Sequence, residues 1–183
     1  FDFSSAALRL VCEAPPFATA RDRIRLCHWD PATAEEPSPF TQPDGTVDAL
    51  PEPQECDAAL IVFVLSAIAP DRIPDVLRRA AKYLKPGAAV LVRDYAVGDM
   101  AQRRFDAKDV TSKLEENFYV RKDGTRAYYF TEASLAEMAR ASGRMRVESC
   151  QIAERLVENK KEGLRMQRRF LQAVLRVEGG GSA

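Results

Sequence analysis

The sequence predicts an α/β domain with a doubly wound, Rossmann-like sheet closed by an antiparallel strand pair. Three observations predict it. Apolar runs of strand length alternate with 3.6-residue stripes through the first half of the 183 residues. Residues 57–66, DAALIVFVLS, are nearly all apolar, as in a strand buried on both faces of a parallel sheet. Two long strand-like segments end the chain with no helix between them. The alternation alone fits other doubly wound domains equally well.

Taken in order, Phe1, Asp2 and Phe3 read as a strand end, and Ser4 or Ser5 caps a helix carrying Ala7, Leu8, Leu10 and Val11 that stops at Pro15-Pro16. Residues 23–29 read as a second strand. Residues 30–54 hold six prolines and many acids with little periodicity, which predicts a surface loop. The 57–66 run should be a central strand. Residues 71–84 place Ile73, Val76, Leu77, Ala80, Ala81 and Leu84 at helical spacing; Lys85-Pro86-Gly87 ends that helix before a strand at 88–95. This is a β-α-β unit with its right-handed crossover. Within an insertion at 96–130, residues 117–121 and 126–130 flank Asp123-Gly124, a strong turn signal, and predict a hairpin projecting from the sheet. Thr131, with Ser134, opens a helix through Leu135, Met138 and Ala139 that stops at Gly143. Strands at 146–157 and 165–177 pair antiparallel. One domain over 1–177 with a linker-like tail at 178–183 is expected, without internal repeats.

Composition narrows the function classes. The 27 basic and 27 acidic residues cancel, yet residues 1–60 hold four basic and eleven acidic side chains, a net of −7 that the rest of the chain balances at +7. Zero net charge therefore does not exclude a polyanionic partner on one face, although a solvated surface is the plainer reading. No run approaches the roughly 20 apolar residues that span a bilayer, so no membrane role is expected. Cys12, Cys27, Cys56 and Cys150 are scattered without a CxxC pair, and His28 is the sole histidine. No metal site is expected, and reduced thiols point to an intracellular, cytoplasmic setting, with mitochondrion and nucleus left open.

In doubly wound sheets ligands lie at the carboxyl ends of the strands, so Asp2, Asp30, Val62 and Phe63 are the first residues to test. One carboxylate accepts from both hydroxyls of a ribose diol, which suits Asp2; Asp30 suits an exocyclic adenine amine. A helix cap or turn is the plainer role for each acid. Val92-Arg93-Asp94-Tyr95 passes from buried to charged at a strand end. The hairpin gathers Phe118, Tyr119, Arg121, Arg126, Tyr128, Tyr129 and Phe130; such rings can stack a base while arginine meets phosphate, or simply form a core.

The strings LIVFVLSAIAPD, YLKPG, LVRDY and ENFYVRKDGTRAYYFT, with NKKEGL at residues 159–164, resemble the methyltransferase-like enzymes that form 3-methylcytidine in the anticodon loop of tRNA. The resemblance runs from Phe1 to about Val177 and implies a class I methyltransferase fold, S-adenosylmethionine as methyl donor and tRNA as substrate. An aminoacyl-tRNA synthetase or another subunit as helper is a further expectation. It places Asp2, within DFS, as the ribose acid, Asp30 as the acid beside adenine, and Val62 as a cofactor contact with Phe63 adjoining. Trp29-Asp30 stands where the family has Cys-Asp, and Val62 where it has Ile.

Cytosine N3 attacks through an in-plane lone pair and needs no base to remove a proton, so positioning and electrostatics carry the reaction. For the cationic product, Asp94 is the expected stabilising carboxylate, beside Tyr95. Phe118 and Tyr119 are the expected base stackers, and Arg93, Arg121 and Arg126 the groups that orient phosphate or base carbonyl. The glycine-rich turn after the first strand of such folds is missing: none of the nine glycines lies upstream of Asp2. The expectation is a C-terminal piece of a longer protein, ahead of two others: a missing part supplied by another chain, or an inactive scaffold relative. Loss of a central first strand should expose two unpaired edges and much apolar surface, the 57–66 run included, and leave the isolated chain poorly stable.

Overall fold

The computed structural model describes residues 1–33, 35–108, 112–159 and 163–179. The chain divides into two units, Phe1–Glu52 and Pro53–Ala183.

In the first unit, α1 (Ser5–Glu13) is capped by Ser4, whose hydroxyl accepts from the Ala7 amide. Pro15-Pro16 does more than stop that helix. With φ preset and no amide to satisfy, the two prolines open a second short helix, α2 (Pro15–Thr19). The strand expected at 23–29 is reduced to β1 (Cys27–His28), which pairs antiparallel with β2 (Ser38–Pro39). The 30–54 segment is therefore not a plain surface loop. It contributes Phe40 to a core with Leu8, Phe17 and Leu26. It also supplies buried Asp48, which accepts from the Leu26 amide and the Gln42 side chain. Proline at an edge position costs no ladder bond, which lets so irregular a sequence enter a sheet.

The second unit is built on a four-stranded sheet of order β3-β4-β9-β8, with β3 (Cys56–Val62), β4 (Leu84–Tyr95), β8 (Met145–Asn159) and β9 (Leu164–Val177). β3 and β4 pair parallel; β4–β9 and β8–β9 pair antiparallel. α3 (Ile73–Lys82) makes the crossover and buries Ile73, Val76, Leu77 and Ala81, a spacing that keeps one stripe inward. α5 (Glu132–Ala141) packs beside it and against β8. Lys85-Pro86-Gly87 does not separate helix from strand: it bulges out of β4, so that Cys56 pairs with Leu84 and Ala58 with Ala89.

β3 is an edge strand among the described residues, not the central strand its composition suggests. Its apolar side chains are consequently open, Leu60 being 71% exposed, with Val62, Phe63, Val64 and Leu91 also exposed. The Asp-Gly hairpin forms as expected, as β6 (Phe118–Val120) and β7 (Arg126–Tyr128), with Gly124 at φ +81°. A third strand, β5 (Lys113–Glu115), joins it. It does not project freely, since Ala96 bridges Phe130 beside the end of β4. α4 (Met100–Lys108) is a helix the sequence reading did not anticipate. The tail at 180–183 and Lys160-Lys161-Glu162 lie outside the described residues.

α5 opens with a capping box: the Thr131 hydroxyl accepts from the Ser134 amide at 2.9 Å, and the Ser134 hydroxyl from the Thr131 amide at 3.0 Å. Thr131→Ala is expected to lower the unfolding free energy by about 1 kcal/mol in urea titrations with an unchanged m-value.

Candidate functional site

In the first unit the two candidate acids stand close to the short strand β1. Asp2 bridges His28 in parallel, its amide donating to the Cys27 carbonyl and its carbonyl accepting from the Trp29 amide. Asp30 follows two residues after the bridge. Each carboxylate spends Oδ1 on its own turn, Asp2 on the Ser4 amide (2.7 Å) and Asp30 on the Ala32 amide (2.9 Å). For each, Oδ2 has no partner among the described residues. Both therefore fill the turn role and keep an acceptor free. This fits a ligand that offers hydroxyls or an amine to strand ends.

In the second unit, strict alternation along β4 decides the fate of Val92-Arg93-Asp94-Tyr95. Ala88, Val90, Val92 and Asp94 face the buried side; Arg93 and Tyr95 take the other. Asp94 is fully buried, with Oδ2 accepting from the Ser66 amide (3.0 Å) and Oδ1 from the Tyr95 amide (2.9 Å). Burial pushes its carboxyl above the ordinary range, although the hydrogen bonds from Ser66, Tyr95 and Leu65 oppose this. Asp94, expected as the carboxylate near the reacting base, is turned to the buried side here, where it clamps the 3₁₀ turn Leu65–Ala67 onto the end of β4.

Phe118 and Tyr119, expected as base stackers, are turned into the hairpin's own core. Both rings are buried: Phe118 packs edge-on to Tyr128, while Tyr119 stacks on Phe105 at 5.2 Å and donates its hydroxyl to Asp106 at 2.7 Å. Burial and the Asp106 bond both raise the Tyr119 pKa. Arg126 sits on the exposed end of β7, and among the described residues no ring contact or ion pair links it to the others.

The accessible aromatic surface lies elsewhere. Phe63 follows β3 in a left-handed conformation, φ +55°, with its amide donating to the Arg93 carbonyl at 2.8 Å. Such a φ is costly for a bulky residue and concentrates at functional sites. Its ring, on a residue 40% exposed, lies 5.1 Å from Tyr95 and 5.6 Å from Phe170. Phe170 is there because Tyr95 and Phe170 are partners in the β4–β9 register. Three guanidinium groups rest on this plate. Arg93 lies 4.6 Å from the Phe170 centroid and Arg121 5.5 Å from that of Tyr95; Arg168 lies 5.6 and 5.4 Å from Tyr95 and Phe170 respectively. Arg93, Tyr95, Phe63 and Arg121 were thus expected and are brought together. Phe170 and Arg168 were missed: the alternation Arg168, Phe170, Gln172 puts them on one face of β9, and only the pairing with β4 brings that face to Tyr95. Among the described residues no group of three or more His, Cys, Asp or Glu could hold a metal ion, and no helix is long and apolar enough to cross a membrane.

The sequence matches the methyltransferase-domain family over residues 7–144. It is 41% identical over 172 residues to the human tRNA N(3)-cytidine methyltransferase METTL6, which covers 94% of this chain and 55% of that protein. It is 35% identical over 176 residues to the tRNA(Thr) (cytosine(32)-N(3))-methyltransferase of Saccharomyces cerevisiae, covering 96% of this chain and 26% of that one. The chain thus spans about half the length of the first of these relatives and less of the second. Among solved structures, a SAM-dependent methyltransferase of Methanosarcina mazei superposes with a TM-score of 0.56 at 17% identity, over 72% of this chain and 63% of that one. A Pyrococcus horikoshii protein gives 0.55 at 14% identity, over 92% and 67%.

Proposed function

We propose, from the premise that the chain belongs to the methyltransferase-domain family, that it serves the S-adenosylmethionine-dependent methylation of cytosine N3 in a tRNA anticodon loop. The observation that carries this is the plate of Phe63, Tyr95 and Phe170 under three arginines, in a chain similar along nearly all its length to enzymes named for that reaction.

When bound, S-adenosylmethionine would supply an electrophilic methyl group. Asp2 is the residue for its ribose hydroxyls and Asp30 for its adenine amine, each through the free Oδ2. The protein has no proton to remove from cytosine N3, so its work is to hold the base with N3 presented. Phe63, the most open ring of the plate, stacks the extruded base, backed by Tyr95 and Phe170. As N3 gains its methyl group the base becomes cationic, and the π faces beneath it attract that charge, a task for which buried Asp94 is not placed. The arginines bind the flanking phosphates, keeping their own charge away from the base.

The test is to incubate the complete protein with S-adenosylmethionine and tRNA, digest the RNA and identify methylated nucleosides by mass spectrometry. 3-Methylcytidine in the anticodon loop is expected, with or without an added aminoacyl-tRNA synthetase. Methylation only elsewhere, or S-adenosylmethionine that does not bind, would refute the reading; the second result would favour a scaffold.

A further inference from the structure

We propose that Asp99 is a positioning residue that sets Arg168 to grip a phosphate of the bound RNA, an inference that rests on the RNA-methylation reading above. Asp99 precedes α4, and its side chain is fully buried at the meeting of that helix with β9. Oδ1 accepts from the Ala101 amide at 2.8 Å, capping the helix. Oδ2 accepts from the Arg169 amide at 2.8 Å and from Arg168 Nε at 2.9 Å. One carboxylate therefore fixes the start of α4, the backbone of β9 and one edge of a guanidinium.

The consequence for Arg168 is geometric. A guanidinium is planar, so a bond at Nε from a group that cannot move, with two rings at 5.4 and 5.6 Å, leaves the plane little freedom. The Arg168 side chain remains 24% exposed, and its two Nη groups have no partner among the described residues. They form the kind of fork that meets two phosphate oxygens together. Charge favours phosphate over the neutral edge of a base. Arg93 and Arg121 share the plate, neither is ion-paired among the described residues, and Asp99 is one buried anion against three cations.

The sign of one substitution separates this role from general electrostatics. Asp99→Asn keeps a good helix cap and removes a negative charge. A charge effect alone would make RNA bind more tightly; loss of positioning makes it bind more weakly. The experiment measures binding of a labelled anticodon stem-loop carrying the target cytidine to the complete protein across a salt series. The proteins are wild type, Asp99→Asn, Arg168→Met, the double variant and Arg168→Lys.

Asp99→Asn and Arg168→Met should each weaken binding about tenfold, with the Arg168→Met salt slope shallower by roughly 0.7 to 0.9. The double variant should bind as Arg168→Met does, because Asp99 acts only through Arg168. Arg168→Lys keeps the charge without the fork; it should lose about as much affinity while retaining the wild-type slope, and it decides the matter if Asp99→Asn does not fold. Unchanged or tighter binding by Asp99→Asn, additive losses in the double variant, or wild-type affinity in Arg168→Lys would each overturn the proposal. Wild-type protein that binds no RNA would instead refute the functional reading, and this inference with it.

Discussion

Asp94→Ala is expected to lower the unfolding free energy by about 3 kcal/mol, because it leaves the Ser66 and Tyr95 amides without an acceptor in a buried setting, at roughly 1–3 kcal/mol each. Chemical denaturation with an unchanged m-value measures this. Asp94→Asn should cost less, since one carbonyl oxygen survives. The pH dependence gives a second reading. Burial raises the folded-state pKa above that of the unfolded chain, so the stability this group contributes is fully present below the unfolded carboxyl pKa. It is lost as pH rises through the folded value. The stability difference between wild type and Asp94→Asn should therefore shrink as pH rises from the ordinary carboxyl range through the raised folded-state value. A difference that grows with pH would mean that the hydrogen bonds outweigh burial. A loss below about 1 kcal/mol for Asp94→Ala would mean that the Leu65–Ala67 turn is held by something else.

Tyr95→Ala is expected to reduce kcat/KM for tRNA by about 100-fold, on the roughly 1–3 kcal/mol of base stacking by Phe63 that depends on the Tyr95 ring behind it and the further loss of the surface on which Arg121 and Arg168 rest. Tyr95→Phe keeps the face and should stay within about threefold of wild type. Single-turnover kinetics with the complete protein checks both. Equal rates for Tyr95→Ala and wild type would remove the aromatic plate from the reaction.

What could be read from sequence follows the range of the interactions. The β3-α3-β4 unit, the Asp123-Gly124 hairpin, the Thr131 cap and the final strand pair are all specified by residues near one another in the chain. α4 was missed because Met100, Ala101 and Phe105 make a thin apolar stripe between charged residues. β1 and β2 were unreadable as a pair because two residues carry no periodicity. The apolar run at 57–66 reads as a central strand, and among the described residues it forms the open apolar edge expected where no first strand pairs with it. A run of apolar residues reports what a strand can be packed against, and strand order decides whether anything is there.

The site divides in the same way. Arg93 and Tyr95 were visible as charge and ring at a strand end. Asp94 beside them was not separable until the alternation of β4 was fixed by its neighbours. Phe170 and Arg168 reach the plate through the β4–β9 register, which no local pattern encodes. Phe118 and Tyr119 had the right chemistry for stacking, but their hairpin uses those rings as its own core with Phe105 and Tyr128.

The two-sidedness of β4 has an evolutionary consequence. Gain or loss of a single residue between Gly87 and Tyr95 would turn the strand over, driving Arg93 inward and Asp94 outward, and so would exchange a cation on the aromatic plate for an acid while unpinning the Leu65–Ala67 turn. A point substitution there alters one side chain and can leave the opposite face intact. A frame-preserving insertion or deletion cannot, whereas the bulge at Lys85-Pro86-Gly87 is already out of register with β3 and offers a place where length can drift without reaching the plate.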